Sequence, residues 1–312
     1  MNKIAKIIIL IGLVAFTPST ASAVVIDLGD ASKYAVLSMK QDTDAPSLGL
    51  TSDSSITGDV GIGPGTNSTN GSYSKSSGAS VVGKVFLAPG TDTSGVNGPN
   101  GGTFVLNSDL SSAIADALQA ASDVGALGAT QIFGNITTTQ TINGNGGINV
   151  ISATKIDLSG NKALTLNGTP SEYFIFKLTE FIGLSGTSDI VFSGGVSGSH
   201  VLYYVSKTTS NGDHNFVVEV TGDSTMNGTI LAPFGDIKFH GQLLNGALIG
   251  NDINLGSHGD LTYLPFQPTN PPSQAATIPE PASVLLLAIG LLGARHSTRR
   301  RFPLHSSAPF SV

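Results

Sequence analysis

Short alternations of apolar and polar residues recur along this chain, separated by clusters of Gly, Asn, Asp and Ser. In Tyr173-Phe174-Ile175-Phe176-Lys177-Leu178, alternation sends Phe174, Phe176 and Leu178 to one side of a strand. The same reading pairs Phe216 with Val218 and Val220, Ile156 with Leu158, Leu164 with Leu166, Ile190 with Phe192, Ile237 with Phe239 and Ile253 with Leu255. The intervening residues are turn formers, so the pattern predicts many short strands. One segment breaks it. From Ser108 to Leu127, Leu110, Ile114, Ala117, Leu118 and Ala121 recur at helical spacing and predict one amphipathic helix with Asp116 and Gln119 on its outer side. Ser108 is placed to cap this helix, Asp109 lies in its positive first turn, and Gly125 and Gly128 can end it. The strand spacing is irregular and allows a β-sandwich or a β-solenoid.

The ends of the chain follow different rules. Lys3 and Lys6 precede an apolar run from Ile7 to Phe16, and Ala21-Ser22-Ala23 follows. This is the layout of a secretory signal peptide over residues 1–23, with Ala21 and Ala23 as the small residues read by signal peptidase. The apolar run is about half the roughly twenty residues that a membrane-spanning helix needs. At the other end a Pro-rich linker over 267–277 leads to Pro279-Glu280-Pro281, an apolar run from Ala282 to Ala294, and Arg295, Arg299, Arg300 and Arg301. No other arginine occurs in the chain. Basic residues stay on the cytoplasmic side, so the arginines would hold the tail inside while the domain is exported.

Composition narrows the function. Residues 24–278 carry 9 Lys, no Arg and 20 acids, a formal charge of 9 minus 20, or −11. An acidic surface without arginine argues against nucleic acid as a partner. Cysteine is absent, so neither disulfides nor thiolate metal sites are available, and a large apolar core must hold the domain.

Pro279-Glu280-Pro281 with the Leu-rich run and the arginine cluster resembles the PEP-CTERM sorting signal, over about residues 278–301. That resemblance implies an exosortase-type sorting protease as partner, with transient anchoring in the inner membrane before display at the cell surface or release. Residues 302–312 form a short tail beyond the usual end of such signals. Between the two signals, Leu28-Gly29-Asp30-Ala31-Ser32-Lys33-Tyr34-Ala35-Val36-Leu37, Thr57-Gly58-Asp59-Val60-Gly61-Ile62-Gly63-Pro64-Gly65-Thr66, the Ala-rich helix, Tyr173-Phe174-Ile175-Phe176, Asn227-Gly228-Thr229-Ile230-Leu231-Ala232-Pro233 and Leu244-Asn245-Gly246-Ala247-Leu248-Ile249 resemble, in that order, the bacterial ice-binding-like domain. The close at Tyr263-Leu264-Pro265-Phe266 is also similar to the choice-of-anchor A surface domains. The resemblance implies that residues 24–266 form a mainly β domain, a discontinuous right-handed parallel β-helix with one long α-helix alongside.

In that family, ice is held on a flat sheet face whose short polar side chains repeat on neighbouring coils. Thr137, Thr139 and Thr141 are the ligand-face candidates, read as one face of one strand with no second strand repeating them. Catalytic patterns are weak. Glu172 and Glu180 could be posed as a glycosidase pair. Gly222-Asp223-Ser224 lacks the glycines of a serine-protease nucleophile loop, and His200, His214, His240 and His258 follow no metal motif. Asn251, Asp252 and Asp260 sit in glycine turns without an ordered calcium loop. The expectation is a non-catalytic exported protein without metal or cofactor that binds extracellular polysaccharide or a neighbouring cell, with ice binding and a polysaccharide-acting enzyme as alternatives. Mass spectrometry of the surface and secreted fractions should find chains that start near Val24 and lack the arginine cluster; intact chains reaching Val312 in the cytoplasm would refute both signals.

Overall fold

Apolar residues at alternate positions can be buried by stacking coil upon coil, and the chain does this throughout. The computed structural model describes residues 25–39, 46–64, 70–208, 216–256 and 259–269. The signal-peptide residues Ala21 and Ala23, the sorting-signal residues Pro279, Glu280, Pro281, Arg299, Arg300 and Arg301, and His214 and His258 lie outside them. The strands form a parallel solenoid whose coils present three faces.

The first face, called here the threonine face, takes strands Gln140–Asn143, Ala163–Asn167 and Asp189–Ser193, the leading halves of Thr225–Ala232 and Leu243–Gly250, then Asp260–Tyr263, Ser55–Thr57 and the leading half of Ser80–Leu87. The second, the charged face, is a separate eight-stranded sheet from Asn135–Ile136 through Lys155–Leu158, Ile182–Leu184, Val218–Thr221, Ile237–His240, Ile253–Leu255 and Ser47–Leu50 to Ser72–Lys75. The third, the helix face, includes Ile148–Ala153, Tyr173–Leu178, Val201–Val205, the trailing halves of the three long strands, Val36–Ser38 and Val60–Ile62.

The order of coils is not the order of the chain. Strands from the first part of the chain stack on the last: Val36 pairs with Leu248, Leu48 with Ile253, and Ser55 with Asp260. The chain then passes through Gly101–Val105 and enters the helix Ser111–Ala126, which crosses the third face before the remaining coils are laid down.

Inward residues line up from coil to coil. Leu164, Ile190, Met226, Leu244, Leu261, Ile56 and Val81 form one such column, and all are buried. Each such side chain contributes roughly 1.5–3 kcal/mol by leaving water. The rings of Phe176 and Tyr203 stack inside the solenoid at 5.1 Å, and burial pushes the Tyr203 phenol far above its ordinary value. The expected inward residues Phe174, Phe176, Leu178, Ile156, Leu158, Leu164, Leu166, Ile190, Ile237, Phe239, Ile253 and Leu255 are buried. Phe192 is half-buried against the core, and Phe216 is not part of it. Val217 and Val218 both donate to the carbonyl of Asp236, so two residues face one partner, and Phe216 is left half-buried outside the core.

The helix also differs in detail from the sequence expectation. Its fully buried residues are Ala113, Ala117, Ala120, Ala121 and Val124, while Ile114 and Leu118 are half-buried at the margins. Small residues hold the centre because the helix lies directly on Ile175, Leu202, Leu231, Ile249 and Leu37, which project from successive coils. Asp116 is not an outer residue: its carboxylate accepts from the backbone N–H of Asp30 at 2.7 Å and pins the turn Gly29–Lys33. Gln119 is exposed, as expected. At the N-terminus Asp109, rather than Ser108, accepts from the N–H of Ser111, and Ser108 bonds back to Val105. The helix runs through Gly125 to Ala126, and Lys177 from the sheet donates to the carbonyls of Gly125 and Leu127. That ammonium satisfies the helix end and complements its dipole.

Ala117→Asp is expected to cost about 3–5 kcal/mol by burying an unpaired charge, whereas Leu118→Asp at the half-buried margin should cost about 1–2 kcal/mol. Thermal unfolding of the two variants checks the order.

Candidate ligand face

The outward residues of the threonine face form columns as regular as the inward ones. Thr141 pairs with Thr165, Thr165 with Val191, Asn227 with Asn245, Asn245 with Thr262, Thr262 with Thr57, and Thr57 with Val82. A single pairing, Asp189 with Thr225, joins the two runs. Over the eight coils these two runs hold no charged side chain. Strands about 4.8 Å apart, with same-side residues about 6.8 Å apart along each, make this a flat grid of methyls, hydroxyls and amides.

Side chains within the grid bond to one another. The Asn245 amide donates to Asn227 at 2.8 Å, and the Asn167 amide donates to Asn143 at 2.9 Å. The flanking column holds two carboxylates. Asp189 accepts from both the N–H and the hydroxyl of Thr225, and Asp260 accepts from the hydroxyl of Ser55. Both are thereby held by groups of the next coil.

The three threonines proposed from the sequence do not share one strand. The chain bends at Thr138 between the charged face and the threonine face. Thr137 follows Asn135–Ile136 on the charged side, where its carbonyl accepts from Lys162, whereas Thr139 and Thr141 begin the threonine face. Thr139 is the first residue of the flanking column, its hydroxyl accepting from the N–H of Ala163. Period-two counting cannot register a corner, and so it carried three alternate residues onto one face. The column partners Thr165, Thr57, Thr262, Asn227 and Asn245 were missed because they lie far apart in the chain. A signal for Thr57, Asn227 and Asn245 exists: Asn143, Asn167, Ser193, Asn227, Asn245, Thr57 and Val82 each precede a glycine. That recurring outward residue plus glycine ends seven of the eight threonine-face stretches; in the eighth, Tyr263 follows Thr262.

The residues weighed as catalytic are engaged otherwise. Glu172 is buried, and its carboxylate accepts from the N–H groups of Thr169 at 2.6 Å and Gly146 at 2.5 Å, with the amide of Asn149 at 3.5 Å. The bond from Thr169 is the largest influence on this carboxyl and lowers its pKa; burial opposes it, and the bonds from Gly146 and Asn149 add to the lowering. Glu180 is exposed. Ser224 is buried beside Ser188, 3.4 Å between hydroxyls. His200 stacks on Tyr173 at 4.3 Å, and His240 meets Asn254. Asp252 accepts from the N–H of Ser47. No group of three or more His, Asp or Glu is placed to hold a metal among the described residues, and none of their helices is long and apolar enough to cross a membrane.

A family model described as an ice-binding-like adhesive domain matches residues 22–262, and one described as a PEP-CTERM protein-sorting motif matches residues 277–301. The latter implies export with exosortase-type processing. No curated protein matches the chain. Among solved structures the chain is similar to an ice-binding protein from an Antarctic Flavobacteriaceae bacterium, at 20% identity and TM-score 0.53 over 78% of this chain and 47% of that one. It thus spans about half the length of that protein. It is also similar to an ice-binding protein from the Antarctic ascomycete Antarctomyces psychrotrophicus, at 21% identity and TM-score 0.46 over 78% of this chain and 98% of that one. A third is the DUF3494 domain of a Shewanella frigidimarina ice-binding protein, at 17% identity and TM-score 0.49 over 76% and 96%. At these identities the Flavobacteriaceae likeness shows the fold alone.

Because its pKa is lowered on folding, ionised Glu172 adds stability in full above the unfolded-state value, and that stability is lost as pH falls through the lower folded value. Glu172→Gln should therefore be less stable than the parent near neutrality, with the gap closing on acidification. Thermal unfolding measured from about pH 6 to about pH 3 reads this directly.

Proposed function

The chain belongs to the ice-binding-like adhesive domain family, and on that premise we propose that it is a surface-sorted, non-catalytic adhesive protein that binds matrix polysaccharide or a neighbouring cell. The observation that carries this reading is the uncharged column in two runs, Thr141 to Val191 and Asn227 to Val82, over eight coils and open to solvent at Thr141, Val191, Thr262, Thr57 and Val82. A flat repeating surface of short side chains suits another extended, repeating surface; it encloses nothing and so favours contact over turnover. Engagement of Glu172 and Ser224 in structural bonds supports the non-catalytic part. In this reading signal peptidase cuts after Ala23, the domain spans residues 24–266, residues 267–277 act as linker, and the tail beyond 278 directs sorting. The coil is taken to be right-handed and discontinuous.

One observation favours ice as a second reading. Thr141 with Thr165, and Thr262 with Thr57, put hydroxyl and methyl groups side by side on adjacent coils, where both can order water. Adhesion of cells making the Thr165→Lys, Thr57→Lys double variant should fall below that of the parent strain, and an equal loss of adhesion is expected on deleting the protein. Adhesion unaffected by deletion would sink the leading reading. Thermal hysteresis of the purified mature protein, abolished by Thr165→Tyr, would establish ice as the ligand instead.

A further inference from the structure

The charged face differs in shape from the threonine face. Its central outward column runs Asp157, Gly183, Glu219, Lys238, Asn254, Gly49 and Ser74. Where that column reaches a glycine, the surface dips. One cleft, of about 360 Å³, opens over Gly183 and is walled by Phe181, Phe216, Asp157 and Glu219, with Ser185, Thr221 and Lys207 at its edges. A second, of about 290 Å³, opens over Gly49 beside Ser74, Asp236, Asp252 and Asn254, and Phe216 lines it too. The two glycines are four coils apart, roughly 19 Å at about 4.8 Å per strand.

Phe181 and Phe216 are both half-buried rather than packed into the core, and both are held in place. Lys155 lies 4.8 Å over the Phe181 ring and pairs with Asp157 at 3.0 Å; Lys238 lies 5.6 Å over the Phe216 ring and pairs with Glu219 at 2.9 Å. Each phenylalanine thus belongs to a ring, ammonium and carboxylate set, and the two sets flank the dip at Gly183.

We propose that these clefts form a binding site for a neutral polysaccharide, with Phe181 and Phe216 as platforms for sugar rings and Asp157, Glu219, Ser185 and Thr221 as partners for sugar hydroxyls. The face of an aromatic ring is electron-rich and attracts the weakly positive C–H face of a pyranose as it attracts the two ammonium groups. Asp157 and Glu219 keep lone pairs beyond those that their lysines use, and these match a hydroxyl-rich ligand rather than a hydrocarbon one. An added peptide strand is disfavoured, because backbone groups under the clefts are used by neighbouring coils and the terminal strand Ser72–Lys75 is bonded to Asp92, Gly95 and Asn97. A polymer is favoured over a free sugar because Phe216 lines both clefts, so successive units can occupy one and then the other. An anionic polymer would meet the repulsion of a domain carrying 9 Lys against 20 acids over residues 24–278. The site depends on the surface-display reading only for access to such a polymer, and it adds a polysaccharide site on the charged face to the contact surface of the threonine face.

Affinity electrophoresis of the purified mature chain through gels containing dextran, soluble β-glucan, galactomannan or alginate tests the site. Retardation by at least one neutral polymer, stronger than by alginate, is expected. Phe216→Ala should weaken it about tenfold, Phe216→Tyr should keep it by keeping the ring, and Gly49→Gln should weaken it by filling the second dip. Unchanged melting temperatures would separate these effects from unfolding. Failure of every neutral polymer to retard the chain, preference for alginate, or retardation that survives Phe216→Ala would overturn the proposal. Retardation lost in Thr165→Tyr but kept in Phe216→Ala would do so while leaving surface adhesion standing on the threonine face.

Discussion

At the corner between the threonine face and the helix face, the backbone of one coil rests directly on that of the next. A Cβ on Gly246 would collide with the carbonyl of Gly228, one on Gly83 with that of Gly58, and one on Gly194 with that of Gly168. Gly228 and Gly58 also have φ of 110° and 139°, which side-chain-bearing residues rarely adopt. Because these corners admit no side chain, the coils of each such pair turn at the same place. The parallel ladders on both sides stay in register as a result, and register is what lets inward residues form apolar columns and outward ones form grids.

The three faces share this register but carry different chemistry. On the helix face the outward residues are Ile175, Leu202, Leu231, Ile249 and Leu37, which water would penalise, and a helix with an alanine centre covers them. The threonine face is left open because Thr, Asn and Val side chains tolerate both water and flat contact. On the charged face, ion pairs and two glycine dips break the surface into ridges and clefts. One scaffold therefore presents a smooth surface and a sculpted one side by side.

The described domain is closed on itself. Early strands complete the stack begun by late ones, so the pairing of Val36 with Leu248 and Leu48 with Ile253 cannot form until most of the domain has been made. A second closure lies on the helix side, where Ile26 donates to the hydroxyl of Thr269 at 2.8 Å and Thr269 donates back to the carbonyl of Ile26 at 3.0 Å. Phe266 fills the space beside Tyr173, whose hydroxyl donates to Pro268. The first and last described residues of the domain are thereby fastened together.

Alternation in the segments around Phe174, Ile156, Leu164, Ile237 and Ile253 was enough to assign strands and their buried sides, because period two is a local property of each strand. The helix was legible for the same reason, and the acidic, cysteine-free composition with its terminal signals pointed to an exported domain held by its core. Local periodicity is blind to what a neighbouring coil supplies. It put Leu118 at the centre of the helix contact, where the close approach to the sheet selects Ala117 and Ala120. It sent Phe216 inward, where a doubled pairing to Asp236 turned it out. It also joined Thr137 to Thr139 across a corner. The threonine column and the Phe216 clefts are built from residues far apart in the chain, such as Thr57 beside Thr262, and only the stacking of coils brings them together. Strand identity and burial were thus written in the order of residues, whereas face, corner and neighbour were decided by the tertiary structure, because parallel pairing joins segments between which the chain carries no local record.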